Sequence, residues 1–282
     1  MVGTTDEWES EGHDRDALQL PGRQDELVRR VCAANPRTVV IVNAGAPVQL
    51  DWADDPAAVL MAWFGGQEMA LALADVLFGD AEPAGRLPVT LPVRIEHTPA
   101  FGAFPGENHH IPYAEGLLVG YRWYDSRHLP VAFPFGHGGS YTTFDWSAPR
   151  VSGSAPDLMV EVDVTNTGAR RGAEVVQLYV EPPAGRLFRP RRELKGFAKV
   201  WVEPGHTVTA SISLDARSFA CWDPGSTETA QLAERLGDGI VVPAQTHGPP
   251  SAAAGWRIGS GAHQLHLARS IVEVVSTLSV SL

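Results

Sequence analysis

The sequence predicts an α/β layer structure over residues 1–100 and an all-β sandwich over residues 149–282. Two observations predict this α/β plus all-β order. In the first part, helix-spaced segments alternate with short β-branched runs, and from Asp157 onward apolar residues recur at every second position. Residues 101–148 lie between the two as a connector rich in aromatics, Pro and Gly.

Gln24 to Ala34 (QDELVRRVCAA) has helical spacing, with Leu27, Val28 and Val31 on its expected apolar face. Thr38 to Val42 (TVVIV) is an almost continuous β-branched run, the pattern of a strand covered on both faces. Ala57 to Trp63 reads as a second such strand. Gln67 to Phe78 is the next helix, with Gly79 placed to end it. Through the connector (FPGENHH, VGYRWYD, FPFGHGGSYTTFDW) periodicity is poor, yet so many aromatics imply packing and not a solvated linker. Leu158, Val160, Val162 and Val164 then alternate with polar residues up to the turn signal Asn166-Thr167-Gly168. Val175–Val180, Glu193–Val202 and His206–Leu214 follow as strands, the last two separated by Pro204-Gly205. An insertion at 225–255, opening with a possible short helix and turning Pro/Gly/Ala-rich, is expected to be a partly disordered loop. Strand-like alternation resumes at Trp256 and runs to Leu282.

Of the 282 residues, 44% are hydrophobic and 20% charged, which is enough apolar mass for a packed core. A formal net charge of −11 argues against nucleic acid, whose binders present a basic face. The two cysteines, Cys32 and Cys221, lie far apart without metal-ligand spacing, so neither a disulfide framework nor a zinc site is expected. No apolar run reaches the ~20 residues that cross a bilayer, and no membrane association is expected. The acidic N-terminus, MVGTTDEWESEGHDRD, lacks the pattern of a secretory signal, which favours a cytoplasmic location.

Several strings, in order along the chain, resemble family 3 glycoside hydrolases of the β-glucosidase type. They are SEGHDR (Ser10–Arg15), LPGRQDELV (Leu20–Val28) and NPRTVVIVNAGAPV (Asn35–Val48), followed by GGQEMALALADVLFGDAEPAGRLPVTLP (Gly65–Pro92). YAEGLLVGYRWYD, FPFGHGGSYTTF, VTNTGARRGAEVVQLYV and RELKGFAKVWVEPG continue the series to Gly205. The resemblance implies a partial α/β sandwich (1–100), the connector (101–148) and a fibronectin type III-like β-sandwich (149–282). It also implies that the family's (β/α)₈ barrel is absent from this chain. The chain departs from the family's pattern at Gly139, where Leu is usual, and at the 225–255 insertion. An α/β sheet without its first strands is expected to show an unpaired edge and marginal stability.

A retaining glycosidase needs a nucleophilic carboxylate and a general acid/base. In the resembled family an aspartate on the barrel attacks and a glutamate on a loop of the second domain transfers the proton. The matching glutamate is Glu11, with Glu9 as runner-up. From composition alone Glu11 is one more solvated carboxylate beside Asp6, Glu7 and Glu9. Gly12 gives the backbone freedom beside it, and Asp14 and Arg15 are placed for a local ion pair. Trp8 and His13 are candidates for contact with a sugar. His109 and His110 read as solvated, Gly65-Gly66-Gln67-Glu68 as a strand-to-helix junction, and Arg186–Arg192 (RLFRPRR) as a charged edge or loop. Gly136-His137-Gly138-Gly139 lacks the strand–helix setting of a phosphate loop. The expected activity is hydrolysis of small β-linked glycosides with retention, without cofactor or metal, in partnership with the barrel domain and inactive without it. The alternative is a non-catalytic truncated product, or an accessory sugar-binding or structural module.

Overall fold

A computed structural model describes residues 1–185, 187–225 and 253–282. The chain divides into two compact units, Met1–Tyr141 and Thr142–Leu282.

The first unit is built on three parallel strands, β1 (Val2–Gly3), β2 (Val39–Asn43) and β3 (Ala58–Met61), in the order β1-β2-β3. Helix α1 (Gln24–Ala34) follows β1. Its Val28 and Cys32 join Val40 and Val42 of β2, with Trp52 and Leu91, in one buried cluster. Leu27, expected on that face, is 54% exposed, as is much of Val31, because the i,i+4 pair turned to the sheet is Val28/Cys32. The both-face reading of β2 is also corrected. Val40 and Val42 are buried while Val39 is 46% exposed, so β2 alternates and one face stays open.

β1 was not foreseen, since two residues carry no periodicity; pairing with β2 makes it a strand. Its outer side is satisfied at the last rung. The Gln24 side chain accepts from the Gly3 N–H (2.7 Å) and donates to the Gly3 carbonyl (2.8 Å), in place of a neighbouring strand.

Helix α2 (Met69–Phe78) ends at Gly79, in the left-handed conformation (φ 85°) that glycine adopts without strain. None of its side chains is buried, although nearly all are apolar, and Phe78 is 84% exposed. β4 (Leu91–Pro92) pairs with β5 (Val131–Phe133) on either side of α3 (Tyr121–Arg127). The connector's aromatics find partners there: Tyr121 stacks on Phe135 at 4.6 Å, and the Trp123 indole donates to the His97 carbonyl (2.9 Å).

The second unit is the β-sandwich. β6 (Phe144–Trp146), β7 (Arg150–Ser154), β8 (Asp157–Asn166), β9 (Gly172–Glu181), β10 (Glu193–Val202) and β11 (Thr207–Leu214) come first. Helix α4 (Ala216–Phe219), β12 (Ala220–Asp223), β13 (Gly255–Ile258), β14 (Ala262–Ala268) and β15 (Val274–Ser281) follow. One sheet runs β10-β9-β14-β15; the other runs β11-β8-β6, with β7 also on β8. The alternating residues of β8, β9, β11 and β14, from Val160 to Leu267, form the core between them. Asn166 fixes the predicted turn: its amide donates to the Val202 carbonyl (2.8 Å) and its oxygen accepts from the Gly168 N–H (3.0 Å).

β12 and β13 pair antiparallel with Trp222 opposite Trp256, their rings 5.7 Å apart, and the Arg217 guanidinium lies 3.1 Å over the Trp256 ring. The greater part of the predicted insertion, residues 226–252, falls outside the described residues. The reading of Arg186–Arg192 as a charged edge is corrected for two of its arginines. Arg192 is buried and donates to the Ile271 carbonyl (2.6 Å), and Arg189 is shielded beside Glu193 (3.8 Å). Arg186 lies outside the described residues.

His263 is fully buried at one end of this core, edge-on to Phe219 at 5.4 Å. Its Nδ1 donates to the Gly261 carbonyl (3.2 Å), and Nε2 is enclosed without a partner among the described residues. Burial, and secondarily the Arg189 charge, depress its pKa, while the Gly261 carbonyl opposes them. His266 is depressed by burial too, against the hydrogen bond its Nε2 donates to the Glu181 carboxylate (2.9 Å). Groups held neutral in the folded state but free to protonate when unfolded contribute stability above their unfolded pKa, and that contribution falls as pH drops below it. Thermal melts of the chain at about pH 7.5 and about pH 5 should therefore show a loss of stability on acidification. His263→Leu should reduce that loss. An unchanged difference between the two pH values would remove His263 as a source of it.

Candidate functional site

Open sheets of parallel strands place ligands beyond the carboxyl ends of the strands, where the connecting loops converge. Here the loops after β1, β2 and β3 meet at that edge. They bring Trp8, Glu9, Glu11, His13 and Arg15 from the first, Gly45 and Pro47 from the second, and Phe64 from the third.

The first loop begins with a tight turn. The N–H groups of Trp8 and Glu9 both donate to the Thr5 carbonyl (2.9 and 2.8 Å). The Glu9 carboxylate then ties this turn to two strand ends. One of its oxygens accepts from the Thr4 hydroxyl (2.5 Å), next to β1, and from the Gly45 N–H (3.1 Å), beyond β2. A Cβ on residue 45 would lie 2.7 Å from both the other Glu9 oxygen and the Phe64 ring, so any other residue would force one of these side chains to shift. Trp63, just before Phe64, has φ 55°, a costly conformation for a bulky side chain of the kind that clusters at functional edges.

Glu11 follows two residues after Glu9 and is exposed, as is His13. The Gly12 N–H donates to the Ser10 hydroxyl (3.1 Å), closing a second small turn around Glu11. The expected Asp14–Arg15 ion pair does not form among the described residues. Arg15 instead reaches across to donate to the Pro47 carbonyl (3.1 Å), fastening the loop to the one after β2. Trp8 is half-buried, with its indole N–H enclosed and without an acceptor among the described residues. The loop's backbone is thus held at three places while the Glu11 carboxylate projects into solvent.

Sequence reasoning missed Gly45 and Phe64. The usable signal was positional: a glycine just past one parallel strand and an aromatic pair just past the next.

Other candidates fall elsewhere. Asn108 and His109 both have positive φ (51° and 62°) at the tip of a two-residue turn closed by reciprocal bonds between Glu107 and His110 (3.0 and 2.9 Å). Both histidines are exposed, and no group of metal-ligating side chains occurs among the described residues. Gly65–Glu68 is the junction between β3 and α2, as expected. A groove of about 310 Å³ between β3, α2 and β5 is lined mainly by apolar side chains such as Leu60, Met61, Trp63, Val76 and Phe133. Gly139 borders it, and a Cβ there would meet nothing. No helix among the described residues is long and apolar enough to cross a membrane.

Residues 1–141 match the glycosyl hydrolase family 3 C-terminal domain, and residues 174–232 match the fibronectin type III-like domain. A beta-glucosidase of Rhizobium radiobacter is 47% identical over 230 residues, covering 79% of this chain and 28% of that protein. A probable beta-glucosidase I of Aspergillus terreus is 45% identical over 231 residues, with the same shares of 79% and 28%. Among solved structures, the beta-glucosidase of Kluyveromyces marxianus in complex with glucose aligns over 100% of this chain and 31% of its own, with TM-score 0.85 and 36% identity. The GH3 beta-glucosidase of Bifidobacterium adolescentis aligns over 100% of this chain and 38% of its own, with TM-score 0.84 and 35% identity. The chain therefore spans less than a third of the curated relatives named here.

Proposed function

Because the chain belongs to glycoside hydrolase family 3, in which it corresponds to the C-terminal α/β domain and the fibronectin type III-like domain, we propose that it supplies the general acid/base of a retaining, exo-acting β-glucosidase-type hydrolase. The observation that carries this reading is the placement of Glu11. It is an exposed carboxylate, unengaged among the described residues, on a loop fastened at three points to the carboxyl edge of a parallel sheet. In the proposed reaction Glu11 gives its proton to the departing glycosidic oxygen as a second carboxylate attacks the anomeric carbon. It then takes a proton from the water that releases the sugar. The substrate is a small β-linked glycoside, with Trp8 and His13 beside it.

Retention requires the two carboxyl groups only about 5–5.5 Å apart. Glu9, the nearest in sequence, is spent on Thr4 and Gly45. As membership of the family implies, the nucleophile is assigned to an aspartate of the family's (β/α)₈ barrel. The exposed apolar face of α2 and the open face of β2 support docking of further protein on this unit.

The test is complementation. The chain alone should not hydrolyse aryl β-glucosides, since one carboxyl cannot form the covalent intermediate. Addition of a barrel-bearing fragment of a family relative should bring activity that neither piece has. Full activity of the barrel fragment by itself, unaltered by this chain, would overturn the reading. The alternative is a non-catalytic product or accessory sugar-binding module. Sugar binding by the chain with no gain on complementation would establish it.

A further inference from the structure

We infer that Glu9 is a positioning residue for the proton-transfer step, acting through the Glu11 loop; this rests on the reading of Glu11 as general acid/base. A carboxylate accepting hydrogen bonds binds its donors more tightly than a neutral acceptor does. Glu9 accepts two, and the donors stand at the ends of adjacent strands, Thr4 after β1 and Gly45 after β2. Thr4 is itself buried, and its N–H continues the β1–β2 ladder to the Asn43 carbonyl (3.0 Å). The latch therefore joins the turn at residues 5–9 to the hydrogen-bonded ends of β1 and β2. The Phe64 ring and the second Glu9 oxygen converge on the same spot beside Gly45, each 2.7 Å from where a Cβ would stand.

Between this latch and Glu11 lies only Ser10, whose hydroxyl is held by the Gly12 N–H. Glu11 thus has a fixed backbone and a free side chain, the arrangement a general acid on a loop needs. Its carboxyl must meet the glycosidic oxygen within hydrogen-bond reach as the bond breaks, and a displacement of about 1 Å can cost on the order of 10²-fold in rate.

Proton delivery matters in proportion to the basicity of the leaving group. Cleavage of an alkyl β-glucoside transfers the Glu11 proton to the departing alkoxide oxygen as the C–O bond breaks and the nucleophile's C–O bond forms. A dinitrophenolate leaves as a stable anion and needs no proton. A loosened Glu11 should therefore harm the first substrate selectively. A general loss of folded protein would lower both alike.

In the chain complemented with a barrel fragment, Glu9→Ala should lower kcat/KM for an alkyl β-glucoside by about 10- to 10²-fold and for dinitrophenyl β-glucoside by less than about 3-fold. Glu9→Gln, which keeps an acceptor oxygen, should recover most of the loss. Thr4→Val, which removes one donor at nearly constant shape, should show the same selectivity to a smaller degree. In the chain alone, Glu9→Ala should speed hydrogen exchange of the Gly45 amide and of residues 8–13. Equal losses on both glucosides, no loss on either, or unchanged exchange would overturn the inference. Failure of the acid/base reading looks different: Glu11→Gln would retain full activity on the alkyl glucoside, and the inference would fall with it. An inactive Glu11→Gln beside a fully active Glu9→Ala would remove Glu9 alone.

Discussion

Replacing Glu11 with glutamine is expected to lower kcat/KM for alkyl β-glucosides by about 10²- to 10⁴-fold in the complemented enzyme, the range a general acid contributes. The amide is nearly the same shape and retains an acceptor, so the loop, its three fastenings and substrate binding are kept while the transferable proton is lost. The same variant should leave dinitrophenyl β-glucoside cleavage much less affected in its first step. The second step, in which Glu11 activates water, should slow, so glycosyl-enzyme should accumulate as a burst of dinitrophenolate. A general acid must be protonated to act, so the alkaline limb of the kcat/KM profile for the alkyl substrate should disappear in the variant. A Glu11→Gln enzyme with the parent's profile and rates would move the proton donor elsewhere on this edge.

The second large effect concerns folding. Trp52→Ala should destabilise the first unit by about 3–5 kcal/mol, the usual cost of truncating a fully buried large aromatic. Trp52 is 1% exposed and packs with Val42, Val48 and Leu50 in the cluster beneath β2. Its indole N–H also donates to the Asp25 carboxylate (2.6 Å) in the first turn of α1, where a negative charge favours the helix. Truncation leaves a cavity and takes away the partner of a helix-end carboxylate at the same time. Against a total of roughly 5–15 kcal/mol for a domain, the urea midpoint followed by circular dichroism should fall sharply. Trp52→Phe keeps most of the volume without the N–H and should cost about 1–2 kcal/mol. Equal midpoints for the parent and the alanine variant would show that this cluster does not hold the unit together.

How much of this was legible in the sequence varied with the range over which each feature is decided. α1 and α2 were read to within a residue or two because capping and spacing are local, Gly79 most plainly. The long strands of the sandwich were equally legible: period-two alternation survives in β8 and β11, while β9 is a continuous run buried along nearly all its length. Failures came where distant packing decides. TVVIV looked like a strand covered twice, yet its composition is the same whether or not a second layer arrives. The buried face of α1 was misjudged at two of three positions, because Cys32 turned inward with Val28 while Leu27 and Val31 stayed exposed. Arg189 and Arg192 looked like solvated charge, because a carbonyl such as that of Ile271 is invisible to a sequence pattern. At the candidate site Glu11 is proposed on its motif alone. The roles of Gly45 and Phe64 exist only once three loops meet, and Glu9, read as a rival acid, is instead fastened to its neighbours.

The paired ends of β12 and β13 carry a consequence for how such a chain can diversify. Asp223 and Gly255 are held opposite each other by the ladder, with Trp222, Trp256 and Arg217 clasping the stem. Once the two ends of a stretch are fixed by the stem, lengthening it costs little: each doubling adds only about 0.6 kcal/mol of closure entropy. The closure cost of whatever chain joins β12 to β13 is thus borne by the stem, whose two ends the ladder sets side by side.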